Sequence, residues 1–78
     1  MWYVAITDVN HPILSHTQLV CGEYLFEVEI AILKFLRRFY DTRDIALLYR
    51  ADLLYDIEVD GVIRGWMNIK QVGELCNV

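Results

Sequence analysis

The residue types on which most enzyme mechanisms and phosphate sites depend are scarce in this chain. Its 78 residues include one serine, one proline, two histidines and four glycines. Ser15 and His16 are adjacent, so in a strand their side chains point to opposite faces and cannot act together as nucleophile and base. Neither a Gly-Lys-Ser/Thr phosphate loop nor a Gly-x-Gly-x-x-Gly fingerprint occurs. We therefore predict no catalytic residues, no cofactor and no enzymatic activity.

Cysteine and histidine are too few, and wrongly spaced, for a zinc site. His11, His16 and Cys21 recur every five residues, and Cys76 lies far away. An odd spacing turns successive strand side chains to opposite faces, whereas zinc ligands usually come in close pairs on a turn. Small secreted chains usually carry about four or more cysteines. A Cys21–Cys76 disulfide is one reading, but two reduced, buried thiols fit better, and no metal site is predicted.

Basic residues are fewer than acidic ones, and the chain has no long apolar run. Seven Lys and Arg stand against eleven Asp and Glu, for a net charge of −4. Nucleic-acid binding and attachment to anionic membranes both need basic residues. The longest uncharged run, 9–22, is interrupted by polar side chains and is shorter than the ~20 apolar residues of a membrane span. Because the first Lys or Arg is Lys34, no signal peptide is expected. We predict a small, acidic, soluble protein of the cytoplasm.

What the chain has in excess is apolar residues. They make up 56 % of the sequence, against roughly 45–50 % in typical soluble domains. A domain this small exposes a large share of its surface and should need fewer of them. We expect some to remain exposed in an isolated copy, either singly, which is ordinary, or as a contiguous patch, which usually marks an interface.

The first half of the chain predicts two strands and a helix. Residues 2–9 are rich in aromatic and β-branched types and favour a strand. A turn at 10–12 and a second strand over 13–21 follow. Residues 23–40 predict an amphipathic helix, since the charged side chains recur on one face. The opposite face contains Leu25, Val28, Ile32, Phe35, Leu36 and Phe39. A second apolar stripe, formed by Phe26, Ile30 and Leu33, has no obvious place on a small sheet.

The second half predicts a further part of the sheet. Residues 45–54 could be a short helix capped by Asp44, but the apolar run favours a strand at 46–50. Asp60-Gly61 predicts a two-residue hairpin turn. A regular register would pair Val59 with Val62, Ile57 with Arg64, and Tyr55 with Trp66, all on the helix side, with Arg64 near the Trp66 ring. A short helical turn is expected after Met67.

Together these elements define an α+β fold. One amphipathic helix packs on a small, mainly antiparallel sheet, in the order β-β-α-β-β with one further strand or short helix. Residues 1–78 are too few for more than one domain.

Four carboxylates near the hairpin are the candidate site: Asp52, Asp56, Glu58 and Asp60. The last three would share one strand face at two-residue intervals. They could form a solvated face, hold a metal, act as acid and base, or present an acidic strip to a basic partner such as a nucleic-acid-binding protein. Parallel carboxylates on a strand do not converge on one cation, so a metal is disfavoured.

The leading hypothesis is a small non-enzymatic protein-binding module that blocks a surface of a larger partner. Bacteriophage inhibitors of host machinery, including anti-CRISPR proteins, have this profile. Its expected contacts are the carboxylates Asp52, Asp56, Glu58 and Asp60 and the apolar helix residues Phe26, Ile30 and Leu33. The alternatives are a structural subunit or a homodimer-forming component of a larger complex, and a minimal acid/base or metal-dependent enzyme.

Overall fold

The computed structural model describes residues 1–72, with the backbone alone for residues 11–15. A single antiparallel sheet has five strands in the order β2-β1-β5-β4-β3, and α1 packs on one of its faces. This confirms the α+β prediction, and the further element is a strand. The elements are β1 (Trp2–Asp8), β2 (His11–Val20), α1 (Leu25–Phe39), β3 (Ile45–Ala51), β4 (Leu54–Val59) and β5 (Val62–Gln71).

The core lies between α1 and the sheet. Val28, Ile32 and Leu36 follow one another at four-residue intervals on the helix, and all three are fully buried. Each contributes about 1.5–3 kcal/mol by leaving water. The sheet supplies the opposing layer through alternate residues of β1, β4 and β5, which are Trp2, Val4, Ile6, Tyr55, Ile57, Val59, Met67 and Ile69. Phe39, predicted on the buried face, is 52 % exposed because it ends the helix.

The helix spans Leu25–Phe39 and is shorter than the predicted 23–40. Hydrogen bonds to Glu27 cap its start, and a left-handed residue follows its end. A carboxylate oxygen of Glu27 accepts the backbone N–H groups of Glu23 (3.1 Å) and Tyr24 (3.0 Å), which satisfies two donors before the first turn. At the other end the Tyr40 N–H donates to the Leu36 carbonyl, and Asp41 takes a φ of 53°. A left-handed residue at this position ends a helix.

The structure differs from two of the predicted turns. The turn after β1 is formed by residues 9–10, and β2 already starts at His11, because the Asp8 carboxylate accepts the Asn10 N–H at 2.8 Å and closes the turn early. The predicted helical turn after Met67 is wrong. β5 continues to Gln71, since pairing with β1 up to Trp2 uses its backbone groups in the sheet.

The hairpin between β4 and β5 forms at the predicted residues, Asp60 and Gly61, which both have positive φ (52° and 82°). Its register is regular only as far as Glu58–Ile63; a bulge then makes Arg64 an extra residue. Val59 pairs with Val62 as predicted, but Ile57 pairs with Gly65 and Tyr55 with Met67. The other two predicted pairs are wrong, because a bulge reverses the faces of all later residues.

Candidate functional site

The sheet face opposite α1 is open in the described part of the chain, and we call it the outer face. Residues alternate along each strand, so the neighbours of the core residues point to this side. Five large apolar side chains on it are exposed, at least one from every strand but β4: Tyr3, Leu19, Leu48, Ile63 and Trp66. Their exposure confirms that some of the excess apolar residues are not buried in the core.

Trp66 lies near the centre of the outer face because of the bulge. It pairs across the sheet with Thr7 of β1 on one side and with Asp56 of β4 on the other. Trp66 is 37 % exposed, whereas Thr7 is buried. The regular register predicted from the sequence put Trp66 on the helix side and Arg64 near its ring. Instead the Arg64 guanidinium lies 5.2 Å from the centre of the Tyr40 ring, on the helix side.

The four predicted carboxylates do not form one strip. Asp56 and Glu58 lie on the outer face, where Asp56 pairs with Arg50 at 3.0 Å. Asp60 is in the hairpin turn rather than on the strand face, and its carboxylate accepts the Thr42 hydroxyl at 3.1 Å. Asp52 occupies the turn at the opposite end of β4. Glu58 is half-buried, and within residues 1–72 its carboxylate has no hydrogen bond or ion pair.

The second helix stripe, formed by Phe26, Ile30 and Leu33, is divided between core and surface. Phe26 and Ile30 are 57 % and 50 % exposed, and the Tyr24 ring stacks on Phe26 at 5.8 Å. Leu33 packs against the core. The stripe lies away from the outer face, so the two predicted groups of contact residues are on opposite layers of the protein.

A polar cluster that the sequence did not reveal joins the end of α1 to β1 and β5. The buried Asp8 carboxylate accepts the Tyr40 hydroxyl at 2.5 Å, and the Arg64 guanidinium approaches it at 3.9 Å. Burial, and then the hydrogen bond with Asp8, raise the pKa of Tyr40. The Tyr40 hydroxyl stays protonated at neutral pH and, as a hydrogen-bond donor, anchors the end of α1 to β1.

A second buried tyrosine is held in the same way. The Tyr55 hydroxyl donates to Glu29 of α1 at 2.7 Å, and burial, followed by this bond, raises the pKa of Tyr55. The bond ties the helix to β4.

These two tyrosines predict a loss of stability in alkaline solution. Unfolded tyrosines release their protons near pH 10, whereas Tyr40 and Tyr55 keep them in the folded state. The unfolded state then binds fewer protons, so the free energy of unfolding falls as pH rises above about 10. Urea unfolding between pH 8 and pH 11 should show a shallower fall for Tyr55→Phe than for the wild type. Equal slopes would contradict this assignment.

The predicted zinc and thiol residues are not brought together. The His16 ring stacks on Phe35 at 4.6 Å, and Cys21 is exposed rather than buried as expected, since it follows the last residue of β2. Cys76 lies outside the described residues. Within residues 1–72 no three His, Cys, Asp or Glu side chains gather as a metal site would need.

Comparisons of the chain with protein-family models, with curated proteins and with solved structures found no match. Over the part of the chain that the structure describes, no helix has the length and apolar character needed to cross a membrane.

Proposed function

We propose that the protein is a non-enzymatic binding module that docks on a larger protein through the outer face, with an arginine or lysine of that partner seated over Trp66. The observation that carries the proposal is the position of Trp66. It is an exposed indole on the central strand β5, with the Asp56 carboxylate on its paired neighbour and apolar side chains on the same face.

The chemistry of this neighbourhood favours a cation set in an apolar surface. Tryptophan is the best aromatic partner for a guanidinium or ammonium group. Glu58, diagonal to Trp66 and without an ionic partner in residues 1–72, supplies the opposite charge. Ile63 and Leu48 add apolar contact area nearby. Aromatic anchors surrounded by such contacts are typical of the energetic centres of protein interfaces.

A nucleic acid fits the outer face less well. Stacking of bases on Trp66 and Tyr3 would be sterically reasonable, but phosphates need a basic groove. In the described residues, the outer face has no basic groove: near Trp66 it carries Asp56, paired with Arg50, and Glu58, while Lys70 lies further along β5 beside Tyr3, and the whole chain has a net charge of −4. The same charges attract the Arg- and Lys-rich surfaces with which proteins bind nucleic acids. An inhibitor acting in the cytoplasm on a CRISPR effector or a polymerase would meet a partner of this kind.

The test is a photo-crosslinking experiment in the organism that encodes the chain. A benzophenone amino acid at Ile63 should capture one protein through a peptide containing Arg or Lys. The same group at Lys34, which is exposed on the helix layer, is the matched control and should not capture it. Capture from Lys34 instead of Ile63 would place the interface on the other layer and overturn the proposal.

Affinity measurements with the captured protein complete the test. Trp66→Ala should weaken binding about 30-fold or more, since central aromatic anchors contribute about 2 kcal/mol or more. Glu58→Gln should weaken it about fivefold and reduce its dependence on salt. Phe26→Ala, on the helix layer, should leave affinity unchanged. Equal affinities for Trp66→Ala and the wild type would rule out docking through the outer face.

A further inference from the structure

Two features that the outer-face proposal does not use lie on the same flank of the protein. The first is the open edge of β3, against which no described strand packs. The second is the exposed helix stripe. Glu29 reaches Tyr55 of β4, whereas Phe35 stacks on His16 of β2. The stripe is on the Glu29 side of the helix, which faces β4 and the edge strand β3 beyond it.

The backbone of β3 directs alternate groups to this open edge. The Asp60 N–H donates to the Asp44 carbonyl at 2.9 Å, which puts residue 44 in a hydrogen-bonded pair with β4. Such pairs alternate along an antiparallel ladder, so the N–H and C=O of Leu47 and Tyr49 point outward. The Ile45 C=O does likewise, while its N–H donates to Arg43 at 3.0 Å. An apolar edge of this kind readily pairs with another strand.

We propose that a second copy of this chain pairs with β3, antiparallel, about a two-fold axis through Leu47. In this register Leu47 N–H groups of the two copies donate to each other's Leu47 carbonyls. Each Tyr49 N–H donates to the Ile45 carbonyl of the other copy. The four hydrogen bonds use the outward groups and leave the Ile45–Arg43 bond in place.

Charge complementarity selects this register and this partner. With Leu47 opposite itself, Leu48 pairs with Ala46 of the other copy on the outer face, and the following pair sets Arg50, the bulge residue of β3, beside Asp44, once on each side of the axis. Arg50 is exposed, and its five donors can serve both Asp56, at 3.0 Å, and a second carboxylate. Asp44 is exposed as well. A two-fold interface requires such self-complementarity.

The pairing also brings the two helix stripes toward each other. A two-fold axis perpendicular to the sheet puts both helices on the same face of a continuous ten-stranded sheet. Phe26 and Ile30 of one copy then face the helix of the other across the joined β3 strands. The outer faces remain open and side by side, so the dimer is independent of the proposed function and would present two Trp66 sites.

The β2 edge lacks the features that favour β3. Residues 11–20 include no Lys, Arg, Asp or Glu that could fix a register. Pro12 has no N–H to donate, which is typical of an edge that does not pair. The Phe35 side of α1 is already packed on this strand.

Light scattering on the purified protein after size exclusion tests the dimer. At about 100 µM we expect twice the chain mass of 9.2 kDa. Ile30→Glu and Asp44→Arg should each weaken the dimer about tenfold or more, the second by opposing two positive charges. The double variant Asp44→Arg/Arg50→Asp should recover the dimer. Leu19→Glu, at an exposed apolar position on β2, is the control and should dimerise like the wild type.

Amide hydrogen exchange distinguishes dimer formation from a change in the stability of the fold. The Leu47 and Tyr49 N–H groups should exchange rapidly at low protein concentration and slowly at high concentration. A monomer at 100 µM, or a dimer that Asp44→Arg and Ile30→Glu leave intact, would overturn the proposal. Dissociation by Leu19→Glu alone would show that copies join through their outer faces instead. A monomer, or a dimer that these two variants leave intact, has no bearing on capture of a partner by Ile63, whereas copies joined through their outer faces would compete with that partner for the same surface.

Discussion

Gly65→Ala is expected to cost about 4 kcal/mol or more of the free energy of unfolding. A Cβ at this position would lie 2.2 Å from the Thr7 carbonyl oxygen and 3.2 Å from the Asp8 Cα. Both contacts are backbone, and Gly65 lies between β1 and β4 near the middle of the sheet. No rotamer change can relieve them, so β1 would have to move from β5. A domain of this size has a total stability of only about 4–12 kcal/mol.

Urea unfolding followed by tryptophan fluorescence measures this loss, because Trp2 is buried in the core. Two other glycines provide matched controls. At Gly61 a Cβ meets nothing within 4 Å, but φ is +82°, so Gly61→Ala should cost about 1 kcal/mol from backbone strain alone. At Gly22 the nearest atom is the Glu27 Cβ, 3.2 Å away, a contact that a shift of a few tenths of an ångström relieves. Similar losses for Gly65→Ala and Gly61→Ala would contradict the clash.

Asp8→Ala should be the second most damaging single change, at about 3 kcal/mol. It leaves the Tyr40 hydroxyl and the Asn10 N–H without their acceptor and the Arg64 guanidinium without its counter-charge. Hydrogen bonds to charged groups contribute about 1.5–3 kcal/mol each when one partner is removed. The ionic contribution is small, because the Arg64 side chain is 37 % exposed and its guanidinium lies 3.9 Å from the Asp8 carboxylate.

Thermal and urea unfolding of three variants separate these contributions. Asp8→Asn keeps an oxygen for the Asn10 N–H and should lose less than Asp8→Ala. Tyr40→Phe removes one hydrogen bond and should cost about 1–2 kcal/mol. Asp52→Asn, in an exposed turn, should change stability by less than about 0.5 kcal/mol. If Asp8→Ala were as mild as Asp52→Asn, the cluster would not anchor the helix end.

The sequence was sufficient to predict the helix, the Asp60-Gly61 turn and the strand at β3, because each depends on neighbouring residues. The register of β5 was not predicted, since it depends on one extra residue at Arg64. The sequence nevertheless contains a pattern that indicates the bulge. Met67 and Ile69 alternate with polar residues, and this phase conflicts with a regular ladder counted from the turn. Resolving that conflict with a bulge would have moved Trp66 to the outer face.

The candidate site was predicted in part. Asp56 and Glu58 are on an open face as expected, but Asp60 turns away because its left-handed backbone and the Thr42 hydroxyl hold it in the turn. The Asp8–Tyr40 contact joins residues 32 positions apart, and no local pattern specifies such a pair. The turn at Asp52-Leu53 was also missed, since leucine rarely adopts the φ of 61° that it has here.

The first and last strands of the described chain are neighbours at the centre of the sheet, and the Val72 N–H donates to the Met1 carbonyl at 3.0 Å. During synthesis the ribosome releases β5 after every other element. Until then the described part of the nascent polypeptide has α1 and two hairpins, β1–β2 and β3–β4, with no strand to join one hairpin to the other. Such non-local closure slows folding. A chain cut before β5 would remain two disconnected halves that expose their apolar faces to chaperones and proteases.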